Sequence, residues 1–294
     1  MFGANKSQKV LEKQKHSHRE WLKGEASSEM KTTDLNCIEE DLESDAPGAW
    51  QNIADSLGRL GTWHAVTGLV VLTNGNTAGW SDVHRAWLYK VTALRIRIST
   101  FQKGRVLGRF RPVESLELEA SPSALCLAYA MMFAREFETT LFEETLRVMT
   151  IDKSVVPDAY WRYHSLEPFM VRLFAMSQRR EPPPSEHSGP ALGCYQAIFD
   201  SWNQPNELAE AIHSACEFHC QRIGDKSEKF AAEFRNPPFD LIPAEILAIY
   251  SVRQALGLHT PRIDHPLLKP PFNTPIGSPS EIQDDLLDMV EAKL

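Results

Sequence analysis

Nothing in this sequence stays apolar for long. Its longest apolar run, residues 124–134, has eleven members, against the roughly 18 that a membrane-spanning helix needs. The opening MFGANKSQKVLEKQKHSHREW is basic but has no apolar centre, so it does not read as a secretory signal. Cysteine is sparse and odd in number: Cys37, Cys126, Cys194, Cys216 and Cys220 are five in 294 residues. That does not resemble a secreted disulfide scaffold, and a reduced, cytoplasmic protein is expected. There is no Gly-x-Ser-x-Gly elbow, no Walker or dinucleotide-binding glycine loop and no His-Glu-x-x-His. No repeat period of 33 or 34 residues is visible, which sets aside a regular solenoid. Positive charge is in deficit, with 31 Lys and Arg against 39 Asp and Glu and a net charge of −8. A general nucleic-acid binder needs the opposite balance. A basic protein partner suits it, although solubility alone also favours net negative charge. Neither nucleic acid nor membrane is expected as a partner, and no cofactor.

What is present is helical patterning. Residues 1–24 carry six Lys and Arg against two Glu, and 25–45 carry eight acids against Lys31 alone. Apolar residues are few in both, so 1–45 reads as a charged, flexible N-terminal arm, with a short helix around 9–23 possible within it. From residue 46 the pattern predicts an all-α bundle of about nine or ten helices with a Pro-rich extended C-terminal segment. Trp50, Ile53, Ala54, Leu57, Leu60, His64, Ala65 and Gly68 recur at three- and four-residue steps, as one buried helix face requires. Asn74-Gly75 marks its stop, and Ser81-Asp82 is expected to cap the next helix. Residues 102–119 read as a loop or small hairpin, and Ser121-Pro122 as the cap and first residue of an all-apolar core helix. Further helices are expected near 139–149, 158–166, 168–179, 190–202, 206–223, 227–235, 243–256 and 280–293. Gly193 is expected inside its helix at a close contact, and Gly224 and Gly257 at helix ends. The Pro/Ser-rich 181–190 is the best internal boundary.

The most chemically loaded stretch is HSACEFHC, residues 213–220. On a helical wheel Leu208, Ile212, Ala215, His219 and Ile223 share one apolar stripe, with Cys216 on its flank. His213, Glu217 and Cys220 fall at the boundary with solvent, where they could serve as metal ligands. Zinc, however, takes four ligands from at least two segments, and no second Cys/His pair at ligand spacing exists in the chain. A packing helix is therefore preferred, and no catalytic residue or metal ligand is nominated. Cys126, inside the all-apolar helix, is expected to be inert.

Charge supplies two further features. Arg95, Arg97, Lys103, Arg105, Arg109 and Arg111 follow one another without an intervening acid, as an anion site or, preferably, a helix C-terminus and exposed loop would. Acidic runs occur at Glu39, Glu40, Asp41, Glu43 and Asp45 and at Glu136, Glu138, Glu143 and Glu144. The pair Glu143-Glu144 could do acid–base work, but reads first as solvated surface. Acidic faces speed association with basic partners, so these nine are the candidate partner-binding residues.

The stretch FDLIPAEILAIYSVRQALGLHTPRIDHPLL, residues 239–268, carries a resemblance. Pro243 opens a helix bearing Glu245 and Arg253, Leu256-Gly257-Leu258 closes it, and Asp264-His265-Pro266-Leu267-Leu268 runs on as a tail. This is similar to the end of immunity family 49 of the bacterial polymorphic toxins. The resemblance implies a protein that binds and neutralises a cognate secreted toxin, delivered by a type VI apparatus or the like, by stoichiometric occlusion. It transfers no catalytic residues, and no enzyme is expected. In the tail, Leu267 and Leu268 should cover an apolar groove, and Asp264 should cap the turn before Pro266 rather than form a dyad with His265. The rival readings are a helical scaffold or regulator, and a metal-dependent enzyme using the His/Cys/Glu cluster.

Overall fold

The recurrence that begins at Trp50 produces α3 (Ala49–Thr73), and its inward residues Ile53, Ala54, Leu57, Leu60, Ala65 and Leu69 are buried. The structure, a computed structural model, describes residues 4–46, 48–106, 117–150, 159–181, 192–223 and 233–294. Among these residues the regular elements are eleven α-helices and four short 3-10 helices, without a strand. The all-α expectation is met. Two compact units are formed, residues 1–12 with 112–274 and residues 13–111 with 275–294. Their boundaries are not at 181–190, most of which lies outside the described residues; α1 (Ala4–Lys23) contains the first boundary.

In the second unit, α3 packs along α4 (Gly79–Val106). At the end of α3, Gly75 (φ +82°) lets its own N–H reach Leu72 and that of Asn76 reach Val71, both within 3.2 Å. This double closure is the Schellman arrangement, which needs a residue tolerant of the left-handed region. The next helix opens two residues before the expected Ser81. Asn76 Oδ1 accepts the Ala78 N–H at 3.0 Å in a turn that leads into the helix, while Asp82 instead takes His64 Nδ1 at 3.0 Å. The early start puts Gly79 against Gly68. A Cβ on Gly68 would lie 2.5 Å from the Gly79 carbonyl oxygen, so the two backbones touch where neither has a side chain.

The N-terminal arm is not free of the body. Residues 25–42 form α2 (Glu25–Leu42), whose Ile38 is fully buried in one core with Ile53, Leu57, Leu60, Tyr89 and Ile96. Few apolar residues suffice because an ion pair from a buried carboxylate to the half-exposed Arg59 helps seat the helix. Asp34, 2% exposed, accepts from Arg59 Nε and Nη2 at 2.8 and 2.6 Å. The C-terminal helix α11 (Asp285–Lys293) adds Leu286, Leu287 and Val290 to the same core. It starts later than the expected 280, because Asp284 caps it through the Leu287 N–H. Asp284 also accepts from Tyr89 Oη at 3.1 Å and pairs with Arg85 at 3.1 Å.

In the first unit α5 (Glu117–Phe133) is the core helix, buried on every side from Ala124 to Met131. Residues 102–106 and 117–119 are helical, correcting the loop expected over 102–119, whose residues 107–116 lie outside those described. Pro122 therefore sits within α5 instead of opening it. Glu117-Leu118-Glu119-Ala120 are all good helix formers, and they extend the helix upstream.

Against α5 pack α6 (Arg135–Thr150), α7 (Leu166–Ser177) and α10 (Ala244–Ala255), while α9 (Pro205–Arg222) packs on α10 and on the short α8 (Gln196–Asp200). The helix expected over 158–166 is only a 3-10 turn, Tyr160–Arg162. That over 190–202 divides into a 3-10 turn opened by Gly193 (φ +52°) and the short α8. Gly193 does meet a close neighbour, Ser165, but not inside a helix. Of the helix expected over 227–235 only 233–235 are described, and these are not helical; Gly224 also lies outside the described residues.

The contact between α3 and α4 yields a test. Gly68→Ala is expected to cost about 1–3 kcal/mol, the range for overpacking a tight contact. Urea denaturation should show a lower midpoint at unchanged slope.

Candidate functional site

The helix α9 carries HSACEFHC, and Pro205 at its first position needs no hydrogen bond there. The wheel is realised: Leu208, Ile212, Ala215, Cys216 and His219 are all fully buried. The boundary half is not a boundary. Glu217 is 8% and Cys220 1% exposed, and only His213 retains partial access to solvent. Burial pushes the Cys216 thiol well above its ordinary value and the Cys194 and Cys220 thiols up to about 12. None of these three offers a thiolate nucleophile at neutral pH.

What covers Glu217 comes from two distant segments. Ser7 Oγ, near the start of α1, donates to Glu217 Oε1 at 3.2 Å, and His265 Nε2 from the C-terminal tail approaches the same oxygen at 3.2 Å. The tail reaches this point because α10 stops at Gly257 (φ +71°), where the Leu258 N–H turns back to the Arg253 carbonyl at 2.8 Å. Leu267 and Leu268 are then buried, as expected of the tail. The capping expectation is wrong by one residue. Asp264 has a 94% exposed side chain facing Lys269, and His265 Nδ1 is the atom that accepts the Leu267 N–H at 3.1 Å. A backbone N–H can only donate, so Nδ1 holds a lone pair and the neutral ring carries its hydrogen on Nε2. His265 thus donates to Glu217, while burial lowers its affinity for a second proton.

The donor atoms of His213, Glu217 and His265 lie within 4.8 Å of one another. The second segment judged missing from the sequence exists. It arrives as a single histidine 45 positions beyond Cys220, so a search for a Cys/His pair passes over it. Ser7, fully buried in the supposed arm, gave no signal at all.

Deeper in the same unit, His219 Nδ1 meets Glu245 Oε1 at 2.8 Å with both side chains wholly buried, and Phe234 stacks on the imidazole at 3.9 Å. The Arg253 guanidinium donates to the Trp202 and His259 carbonyls. Glu233 Oε1 accepts the Ser165 and Leu166 N–H groups at 3.0 and 3.2 Å, fixing where α7 begins, and its other oxygen takes Arg222 at 3.3 Å. Beside it Glu167 accepts from Tyr160 at 2.6 Å and Ser121 at 2.8 Å. Burial, reinforced by the Glu167 charge, outweighs these donors and pushes the Glu233 carboxyl up to about 7.

The nine candidate partner-binding acids fall in different units. Glu39, Glu40, Glu43 and Asp45 are exposed at the end of α2 and beyond it, with Asp41 half-buried and accepting from Asn52 at 3.4 Å. Glu136 and Glu138 lie in the first turn of α6, where the dipole favours them, and burial pushes the Glu138 carboxyl up. Glu143 is exposed and Glu144 pairs with Arg147 at 2.8 Å. In the basic run, Arg95 and Arg97 are engaged by Glu291 and Asp55 at 2.9 and 3.0 Å; Arg109 and Arg111 lie outside the described residues.

No family model matches this chain, and no curated protein or solved structure matches it either. The likeness of residues 239–268 to an immunity family therefore stands on those residues alone.

The buried Glu233 sets a pH dependence. Its folded value lies above the ordinary 4.5, so its contribution to stability is complete below that pH and is lost as pH rises through about 7. Glu233→Gln keeps an acceptor and cannot ionise. Unfolding free energies from pH 4.5 to 7.5 should decline less steeply in the variant; equal slopes would refute the assignment. Separately, Glu245→Ala leaves a buried imidazole without its partner and should cost about 3–5 kcal/mol, measurable by chemical denaturation.

Proposed function

We propose that this protein works by binding, and that it neutralises a cationic bacterial toxin by stoichiometric occlusion. The observation that carries the reading is the C-terminal end of α2. Glu39, Glu40 and Asp41 occupy its last turn and Glu43 is its cap, with no basic residue in that turn. Carboxylates there oppose the helix dipole, each at roughly 0.3–1 kcal/mol. Among the described residues, exposed Glu39, Glu40, Glu43 and Asp45 draw no ion pair or side-chain hydrogen bond from their own chain. Of the acids of α6, Glu136 and Glu138 sit in the first turn and Glu144 in an ion pair; those of α2 work against their helix. A cationic partner surface would relieve that opposition and be steered by it. The resemblance of residues 239–268 supplies the kind of partner, and the sequence has no visible catalytic motif to suggest another role. A nuclease, whose surface is basic, is the toxin class that the charge suits best.

Where a toxic effector gene adjoins the gene of this chain, co-expression should restore growth that the effector alone arrests. Arrest regardless of this protein would end the proposal. The triple variant Glu39→Lys, Glu40→Lys, Glu43→Lys should associate with the effector about 10-fold or more slowly at low salt, within the range of electrostatic steering. Stopped-flow measurements should show the difference narrowing as salt shortens the screening length.

A further inference from the structure

We propose that His213, Glu217 and His265 form a binding site for a divalent transition-metal ion of the zinc class. Two imidazoles and one carboxylate are the donor set that such ions take in preference to calcium or magnesium. His213 and Glu217 are four residues apart on α9 and so share a face, and His265 closes on them from the tail. Their donor atoms, all within 4.8 Å of one another, need only a small contraction to surround an ion at the usual bond lengths of about 2.0–2.2 Å.

A second observation concerns Glu217 itself. Its Oε2 is buried and accepts no hydrogen bond among the described residues, and its Oε1 is met only by a serine hydroxyl and an imidazole N–H. Among the described residues no Lys or Arg reaches this buried carboxylate, so it lacks there the cation that buried charge ordinarily requires. The partial exposure of His213 leaves a way in for the ion and an open coordination position beyond the three protein ligands.

The present hydrogen bonds set a condition on binding. An ion taken by His265 Nε2 replaces the hydrogen now given to Glu217. The ring's hydrogen moves to Nδ1, where it would face the Leu267 N–H; no net proton leaves the ring. Two donors cannot face each other, so the Leu267 amide must release, and with it the cap of the 3-10 turn Pro266–Leu268. Metal occupancy is thereby linked to the fold of the C-terminal tail.

The full-length protein, titrated calorimetrically with Zn2+ and by visible absorption with Co2+, should bind one equivalent of each. His213→Ala, at a partly exposed position, should weaken binding at least 10-fold, as should Glu217→Gln and His265→Ala. Cys220→Ser should leave it unchanged. Hydrogen exchange at the Leu267 amide should accelerate on loading. Failure to bind saturably, binding indifferent to all three ligand variants, or binding lost in Cys220→Ser would each overturn the site. Loading without faster exchange at Leu267 would overturn the link to the tail.

Discussion

The carboxylates of Glu167, Glu217, Glu233 and Glu245 in the first unit are buried, and the chain around them is arranged to donate to them. A buried carboxylate left without donors costs several kcal/mol, comparable to the whole stability of a domain. That constraint explains connections that apolar packing alone would not dictate. Glu233 fixes the start of α7, Glu245 holds His219 on α10, and Glu217 gathers the beginning of α1 and the tail onto one face of α9. Glu167 takes hydroxyls from α5 and from the turn before α7.

The second unit solves a simpler problem. Its long helices bury an aliphatic face in one cluster, and its charges act as clamps at the edges of that cluster. Asp34 with Arg59 seats α2, and Asp284 with Arg85 and Tyr89 seats α11. Burial and the nearby Asp284 charge push the Tyr89 phenol up, so it stays a donor to that carboxylate. The acids at the end of α2 stand outside this scheme. Apart from Asp41, which takes Asn52, they draw no ion pair or side-chain hydrogen bond among the described residues, which is why they, rather than the acids of α6, are read as facing a partner.

The candidate site was half legible. The division of HSACEFHC on a helical wheel located His219 and Cys216 inside, because burial along one amphipathic helix follows from a 3.6-residue period. That period assigned Glu217 and Cys220 to the solvent edge, and there it failed. Whether an edge is wet depends on what another segment lays over it, and here the cover comes from positions 7 and 265. The tail shows the same limit at the scale of one residue. Sequence chemistry favours Asp264 as a cap, but the backbone turns so that His265 faces the Leu267 amide and Asp264 faces water.

By itself the sequence determined the helical class, the all-round burial of α5, the apolar stripe of α9 and the stops at Gly75 and Gly257. Each depends on interactions within a few residues of one another. Only the tertiary structure decided that the charged N-terminus joins the cores and that HSACEFHC acquires a third histidine. Those outcomes rest on contacts across as many as 210 positions. They are governed by the pairing of buried charges, which leaves no periodic trace in a sequence.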